Sequence, residues 1–354
     1  MGVYGINAVL KADFEKVSED SLAVLRSKTL VVSGATGFVG SLLARLVVWA
    51  NDNLDLCAKL VLCMRDEAKL ESLLPGICGR GDVEVAHVDF VDPCDPLAFE
   101  FDYLVHTAAI TASKVMVERP ADVLAISFNG VRWALESARL RSGSKVVFLS
   151  SMEACGSFDG ATDAYENTMG AIDMESVRSC YPEGKRVGEL MCLAYASQFG
   201  VDAVAGRLAQ TFGAGVLSRE GRVFKQFAES AMSDEPIVLH TDGLSEGNYV
   251  YSTDALEAIL VLLEHGEAGQ TYNIANEACH TTICGMAEMV AREFGGEGCD
   301  VVIEGQDSSK FGYAAPTRML LRSDKLRGLG WAPKVGLVEA YGRLISFLCE
   351  GASR

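Results

Sequence analysis

Tyr181 and Lys185 stand in the run Cys180-Tyr181-Pro182-Glu183-Gly184-Lys185-Arg186. At the head of a helical stretch, the i, i+4 spacing sets both side chains on one face. An ammonium beside a phenol favours the phenolate, so the pair predicts a tyrosine pKa below its ordinary value of about 10. A phenol that exchanges its proton near neutrality suits acid–base work in an alcohol–ketone conversion. Alone, Y-x-x-x-K is a common pattern, and its place in the chain carries the weight. Upstream, Leu149-Ser150-Ser151-Met152-Glu153-Ala154-Cys155-Gly156 closes an apolar segment. Open α/β sheets bind ligands at the carboxyl edge of their strands. Ser151 is therefore expected to hydrogen-bond the same substrate oxygen as Tyr181, and Glu153 to reach into the same cleft. The competing readings are a satisfied strand-end hydroxyl and a solvated loop carboxylate; the shared cleft favours function for both.

A second constellation lies near the start. Thr29–Ser33 (TLVVS) runs directly into Gly34-Ala35-Thr36-Gly37-Phe38-Val39-Gly40, a G-x-x-G-x-x-G turn that opens a helix. Glycine permits the tight turn, the approach of backbone to a pyrophosphate and close helix–strand packing, and the helix N-terminus offers free N–H groups to the anion. The strand before, the helix after and the βαβ series that follows supply the context such a motif needs. Gly34, Thr36, Gly37, Phe38, Val39 and Gly40 are the expected contacts of a dinucleotide. The end of the next strand reads Cys63-Met64-Arg65-Asp66-Glu67. Arg65 can pair with a 2′-phosphate, which favours NADP; Asp66 can serve the 2′-hydroxyl of NAD. Both cofactors stay open, with Arg65 tipping the reading towards NADP. Asp89, after the third strand, fits an acceptor for the adenine amine or an ordinary strand-end aspartate.

These residues need a scaffold, and the pattern supplies one. Strands are expected over 29–33, 59–64, 83–88, 103–106, 145–150 and 202–207. Helices are expected over 38–50, around 66–74, and over 120–141 and 182–199. Short apolar strands alternating with helices predict βαβ units and a doubly wound parallel sheet covered on both faces, the Rossmann type of α/β fold. Residues 1–28 carry Val9, Leu10, Phe14, Val17, Leu22 and Leu25 at helical spacing and read as an N-terminal helical extension capping the domain. Residues 29–207 form the expected NAD(P)-binding domain, with a strand and a helix exchanged near 240–275. Residues 208–354, where segments such as 222–232, 237–239, 254–265 and 271–274 follow a less regular rhythm, form a smaller α/β substrate domain.

Composition narrows the classes. The 354 residues carry 31 Lys+Arg against 48 Asp+Glu, a net charge of −17, which argues against a nucleic-acid partner. The 11 cysteines include no C-x-x-C pair, and most, such as Cys57, Cys63 and Cys192, sit in apolar stretches. They read as buried thiols of a reducing, cytoplasmic setting. With 5 His and none at ligand spacing to a cysteine, no metal site is expected. There is no signal-peptide pattern, no myristoylation pattern and no apolar run of membrane-spanning length.

In combination, the motifs resemble an extended short-chain dehydrogenase/reductase of the NAD-dependent epimerase/dehydratase family. The resemblance runs from about Leu30 to about Phe347. It is carried by GATGFVG, VHTAA (105–109), Asn129-Gly130, LSSMEACG, YPEGK, GRLAQTFGAG (206–215), the stretch from Thr241 to Leu256, YNIAN (272–276) and SDKLRGLGW (323–331). It implies a homodimer, formed through helices around 129–139 and 182–199, and a nucleotide-sugar substrate. Ser151, Tyr181 and Lys185 become the catalytic triad, with Tyr181 and Lys185 also at the cofactor, and Ala108 joins the cofactor contacts. Tyr181 would take the sugar 4-hydroxyl proton while hydride leaves C4, and the transient 4-ketone would activate the neighbouring position before the hydride returns.

The branch within the family turns on Ser151-Met152-Glu153. The 4,6-dehydratases carry Thr-Asp-Glu there, and Met152 cannot protonate a leaving hydroxyl. The UDP-glucuronate decarboxylases carry Thr-Ser-Glu, which this chain resembles more. The 4-epimerases lack the glutamate. Gly247 stands where the family often has a diphosphate-binding arginine, followed by Asn248 and Tyr249, and Gln210 replaces the asparagine of the R-x-x-N segment. Gln210, Arg222 and Asn248 are the expected substrate contacts, with Arg207 and Arg318 as further sources of positive charge. The alternative class is a net NADP-dependent oxidoreductase of a non-nucleotide alcohol or ketone. A non-catalytic NADP-binding regulator is a third, opposed by the intact Ser151, Tyr181 and Lys185.

Overall fold

The computed structural model describes residues 3–141, 143–304 and 317–352. The N-terminal extension forms two short helices, α1 (Ala8–Phe14) and α2 (Glu19–Ala23). Asn7 starts α1 by accepting the Leu10 N–H at 3.0 Å, the usual service of an N-cap amide. Leu10, Phe14, Leu22 and Leu25 are buried in the same core as the central sheet.

The alternating segment then runs β1 (Thr29–Ser33), α3 (Phe38–Leu54), β2 (Lys59–Met64), α4 (Glu67–Leu73), β3 (Val83–His87), β4 (Tyr103–His106), α5 (Ser113–Glu118), α6 (Pro120–Arg139), β5 (Lys145–Ser151), β6 (Thr162–Ala164), α7 (Cys180–Phe199) and β7 (Asp202–Leu208). It continues through β8 (Gln210–Phe212), α8 (Val223–Ser233), β9 (Ile237–Leu239), β10 (Glu246–Tyr251), α9 (Ser252–His265), β11 (Thr271–Ile274), β12 (Asn276–Thr282), α10 (Ile283–Phe294), β13 (Val301–Ile303), β14 (Met319–Leu321), α11 (Asp324–Arg327) and α12 (Leu337–Ala352).

Seven strands form one sheet in the order β11-β7-β5-β4-β1-β2-β3, and every pairing in it is parallel. The strands read as apolar runs because both faces are covered, the situation of a doubly wound sheet. Strand order reverses between β1 and β4, so their carboxyl ends flank the crevice in which such folds bind ligands. Gly34 leaves β1 on one side of that crevice; Thr107 and Ala108 leave β4 on the other. Ser151 ends the next strand along, β5.

A second core lies beyond β7. Phe212, Phe224, Tyr249, Met286, Val290 and Tyr341 are among its buried residues. A mixed sheet, β12-β10-β8, and the strand pair β13-β9 surround it, whereas the pair β14-β6 packs on the main core. The chain also returns to the large sheet: β11 pairs with β7, and the apolar α9 residues join the main core. Sequence spacing foresaw α8, β9, α9 and β11 but not α10, α12, β8, β10, β12, β13 or β14. Two residues of boundary separate the expected 120–141 helix from α6, which ends at Arg139. Cys63 and Cys192 are buried as expected, whereas Cys57 is exposed. No described helix is long and apolar enough to cross a membrane.

Candidate active site

The turn after β1 is shaped by close packing. Gly34 has φ 74°, a left-handed conformation, and a Cβ there would lie 2.7 Å from Ala108 N. A Cβ on Gly40 would lie 2.5 Å from the Gly34 carbonyl oxygen. The glycines therefore let α3 sit directly on the β1–β4 crevice. Gly37 caps α3 without any side-chain hydrogen bond, which leaves first-turn N–H groups of Phe38, Val39 and Gly40 for an anion. That arrangement fits a dinucleotide pyrophosphate.

The catalytic candidates converge at the end of β5. Tyr181 is buried on the first turn of α7. Its pKa is pushed up to about 12, by burial first and by the Glu153 charge second, while the Ser151 hydroxyl hydrogen bond and the Arg222 and Arg178 charges pull it down. The pKa thus lies opposite to the sequence expectation. The physical reason is that Lys185 does not pair with the phenol. Its ammonium donates to Leu149 O at 2.7 Å and lies 5.8 Å from the Tyr181 ring centroid. Burial pulls Lys185 itself down to about 8, opposed by the Glu189 charge.

Glu189, one turn beyond Lys185, anchors this end of α7. It accepts from Ser150 Oγ at 2.5 Å and from Arg207 Nε and Nη2 at 2.8 and 2.6 Å. Arg207 is thereby excluded from the substrate role considered for it: it is buried and serves as a brace between β5, α7 and β7.

Glu153 lies near enough for its charge to act on Tyr181, and it does not stand alone. Arg178 Nη2 reaches Glu153 Oε1 at 3.0 Å and Oε2 at 2.8 Å, and the guanidinium lies 5.7 Å from the Tyr181 ring centroid. Arg178 Nε is buried without a hydrogen-bond partner. Sequence reasoning missed Arg178; its place three residues before Tyr181 was the only available signal. Ser151 Oγ accepts from Glu153 N at 3.3 Å, which fixes the turn that aims the carboxylate. Met152, between them, is buried in the main core and faces away from acid–base work.

The remaining candidates separate. Arg222 lies near enough for its charge to act on Tyr181, and Glu220 pairs with it at 2.7 Å. Gln210 lies on β8 opposite Tyr249. Asn248 does not face the cleft: buried, it donates to Met319 O and accepts from Leu321 N, both at 2.8 Å, and so fastens β14. Arg318 is exposed beside β14. A Cβ on Gly247 would lie 2.4 Å from the Tyr249 hydroxyl, so the tyrosine fills the space a longer side chain would need. At the adenosine end, Arg65 faces Asp89 at 3.8 Å. Asp89 also accepts from Val91 N at 3.1 Å, and Asp66 caps α4 by accepting from Lys69 N at 2.9 Å.

A glycine turn at the switch point of a doubly wound sheet, with Ser, Tyr and Lys at the neighbouring strand end, defines an enzyme of the extended short-chain dehydrogenase/reductase class. The chain belongs to the NAD dependent epimerase/dehydratase family, whose pattern matches residues 30–275. It is 26% identical over 327 residues to UDP-glucuronic acid decarboxylase 1 of Xenopus tropicalis, covering 90% of this chain and 72% of that protein. It is 24% identical over 322 residues to UDP-glucuronic acid decarboxylase 1 of Arabidopsis thaliana, covering 90% and 69%. Among solved structures, the epimerase Mth375 of Methanothermobacter thermautotrophicus superposes with TM-score 0.77 at 21% identity, covering 94% and 96%. UDP-glucuronic acid 4-epimerase of Bacillus cereus, in complex with UDP-glucuronic acid and NAD, gives TM-score 0.71 at 17% identity, covering 91% and 99%.

Proposed function

We propose that the protein converts a nucleotide sugar through transient oxidation at C4, and that decarboxylation of a nucleotide-linked uronate is its reaction. The observation that carries this reading is the Glu153–Arg178 pair set against Tyr181 in a cleft where Met152 is turned into the core. Tyr181 takes the proton of the sugar 4-hydroxyl, and Ser151 orients that oxygen. Lys185 holds positive charge beneath the tyrosine ring and is placed to hold the nicotinamide ribose. When bound, NAD or NADP supplies the hydride acceptor and returns the hydride at the end of the cycle. A 4-ketone stands β to a C6 carboxylate, so carbon dioxide departs without the general acid that 4,6-dehydration requires at Met152. Glu153 and Arg178 orient the carboxyl-bearing carbon and its reprotonation. Arg222 supplies the positive charge for the substrate phosphates, and Gln210 lines the same side. Residues 208–354, apart from the strand and helix returned to the large sheet, make the substrate domain.

The Gly247–Tyr249 packing leaves no room for the usual diphosphate arginine, and this favours one second reading, net oxidation or reduction of another alcohol or ketone. Incubation with UDP-, dTDP-, GDP- and CDP-sugars, including UDP-glucuronate, followed by product mass, separates the two. The expected result is loss of carbon dioxide from a uronate, abolished in Tyr181→Phe with dinucleotide binding retained. Full activity of that variant, or turnover of free dinucleotide with a non-nucleotide alcohol alone, overturns the proposal.

The protein is further proposed to work as a cytoplasmic homodimer. Buried free thiols at Cys63, Cys155, Cys180 and Cys192 suit a reducing compartment. The helices α6 and α7 lie side by side, Tyr195 donating to Glu136 at 2.6 Å, and they expose Leu124, Phe128, Val187 and Leu190. An apolar face on adjacent helices suits an isologous contact. The double variant Phe128→Glu/Leu190→Glu is expected to sediment as a monomer where the parent is a dimer; a parent that is monomeric at micromolar concentration removes this proposal.

A further inference from the structure

Three arginines touch the turn that follows β5, and one of them is held differently from the others. Arg186 donates through Nε to Ala154 O at 2.7 Å and through Nη2 to Cys155 O at 3.2 Å and Gly170 O at 2.8 Å. Arg207 gives Nε and Nη2 to Glu189 at 2.8 and 2.6 Å and Nη1 to Glu166 O at 2.9 Å. Both are braces whose donors are satisfied by the chain around them. Arg178 uses a single nitrogen, Nη2, on the two Glu153 oxygens at 3.0 and 2.8 Å. Its Nε is buried without an acceptor, a deficit that costs about 1–3 kcal/mol. A guanidinium placed to fasten loops would not leave that donor bare. The position uses the charge of Arg178 rather than its hydrogen bonds.

That charge stands between a carboxylate and a phenol. The guanidinium carbon lies 5.7 Å from the Tyr181 ring centroid. The carboxylate it binds is aimed by the turn in which Glu153 N donates to Ser151 Oγ at 3.3 Å. The other groups around the phenol are already engaged or uncharged. Lys185, 5.8 Å from the centroid, donates to Leu149 O, and Arg222, at the start of α8, is paired with Glu220. α5 and α6 present Met116 and Val123, and burial raises the pKa of the Cys180 thiol. Glu153 is the charge that opposes the phenolate, and Arg178 is the cation bound directly to it. A carboxylate beside a phenol disfavours loss of the phenol proton, and an arginine on that carboxylate removes most of the effect.

We propose that Arg178 is a positioning residue that cancels the Glu153 charge beside Tyr181 and so lets the phenol act as the base of the proposed reaction. This rests on the reading of Tyr181 as that base, and a double-mutant cycle followed by two readouts separates the two. In protein carrying isotope-labelled tyrosine, with the Tyr181 Cζ resonance identified by Tyr181→Phe, the ionisation is followed by NMR without any substrate. Glu153→Gln leaves the arginine charge unopposed. It is expected to titrate at least about one pH unit below the parent, whose phenol burial pushes up to about 12. Arg178→Met/Glu153→Gln removes both charges and is expected to stay within about half a unit of the parent. With UDP-glucuronate as the probe, Arg178→Met is expected to lower kcat at neutral pH by about tenfold, the rising limb of the kcat–pH profile moving upwards. Arg178→Lys keeps the charge and is expected to recover most of that loss. Equal titration of Tyr181 in Glu153→Gln and in the double variant overturns the proposal, as does a folded Arg178→Met protein with an unchanged profile. A titration that follows the cycle in a protein that turns over no nucleotide sugar upholds the cancelled charge and overturns instead the reading of the reaction.

Discussion

Lys185, proposed to serve the reaction, carries a cost to the fold. Its ammonium is buried, and burial holds its pKa at about 8 against an ordinary value of 10.5. Below pH 8 the residue is charged in both the folded and unfolded chain, and the folded state bears the cost of the buried charge. Between about 8 and 10.5 the folded chain loses this proton first, so this contribution makes stability rise with pH. Lys185→Met should therefore stabilise the protein at neutral pH by on the order of 2 kcal/mol, after allowing for the lost bond to Leu149 O. The gain should fade towards pH 10.5. Urea unfolding of both chains across that range measures it, and a Lys185→Met variant less stable than the parent at pH 7 would refute the account. Turnover should vanish in the same variant. The opposite behaviour of Tyr181, raised by burial and by Glu153, belongs to the same lesson. The Y-x-x-x-K spacing located both groups, but spacing carries no information on burial or on which acceptor a long lysine reaches, and these decide the pKa.

The elements that position the site differ in how openly they declare themselves. The glycine turn is legible because its demands are local: a strand, three glycines at fixed spacing and a helix are contiguous in sequence. Gly40 illustrates the demand, since its Cβ would meet Gly34 O at 2.5 Å and Thr107 Oγ1 at 2.9 Å. Backbone oxygen cannot yield as a flexible side chain can, so Gly40→Ala must lift α3 from the crevice. We expect a loss of about 1–3 kcal/mol of stability and weakened dinucleotide binding, read by urea midpoint and by titration. Gly79→Ala, where a Cβ would meet nothing within 4 Å, should change neither. A Gly40→Ala protein with unaltered stability and affinity would contradict the packing argument. Arg178 and Asn248 were illegible for the converse reason. The ion pair of Arg178 depends on a turn that brings Glu153 back to it, and the duty of Asn248 depends on β14, a distant strand too short to announce itself by alternation.

Across the whole molecule, the N-terminal extension is tied to both cores by charged side chains that composition alone could not assign. Arg45 on α3 donates to Leu73 O at 3.0 Å and to Tyr4 O at 3.3 Å. Asp13, buried at the end of α1, accepts from Tyr251 Oη at 2.5 Å and from Arg343 Nη1 at 2.8 Å. Tyr251 Oη in turn accepts from Ala214 N at 3.3 Å, so one carboxylate joins the extension to β10, to α12 and to the segment after β8. Burial raises the Asp13 pKa in spite of both partners. Its ionisation therefore costs stability as pH rises from the ordinary value of 3.8 up to that raised pKa, and Asp13 contributes as a hydrogen-bond acceptor rather than as a net ionic gain. Asp13→Ala would leave the buried Tyr251 hydroxyl without its acceptor and take from Arg343 one of its two carboxylates, the other being Glu339, a change that costs about 3 kcal/mol in comparable buried pairs. Asp13→Asn keeps an acceptor for Tyr251 and should recover part of the loss. If the extension is integral, Asp13→Ala will shift a single cooperative unfolding transition, and tryptophan and far-ultraviolet signals will move together. A separate early transition, or a shift under about 1 kcal/mol, would show instead that residues 1–28 form a detachable cap whose loss leaves the catalytic layers standing.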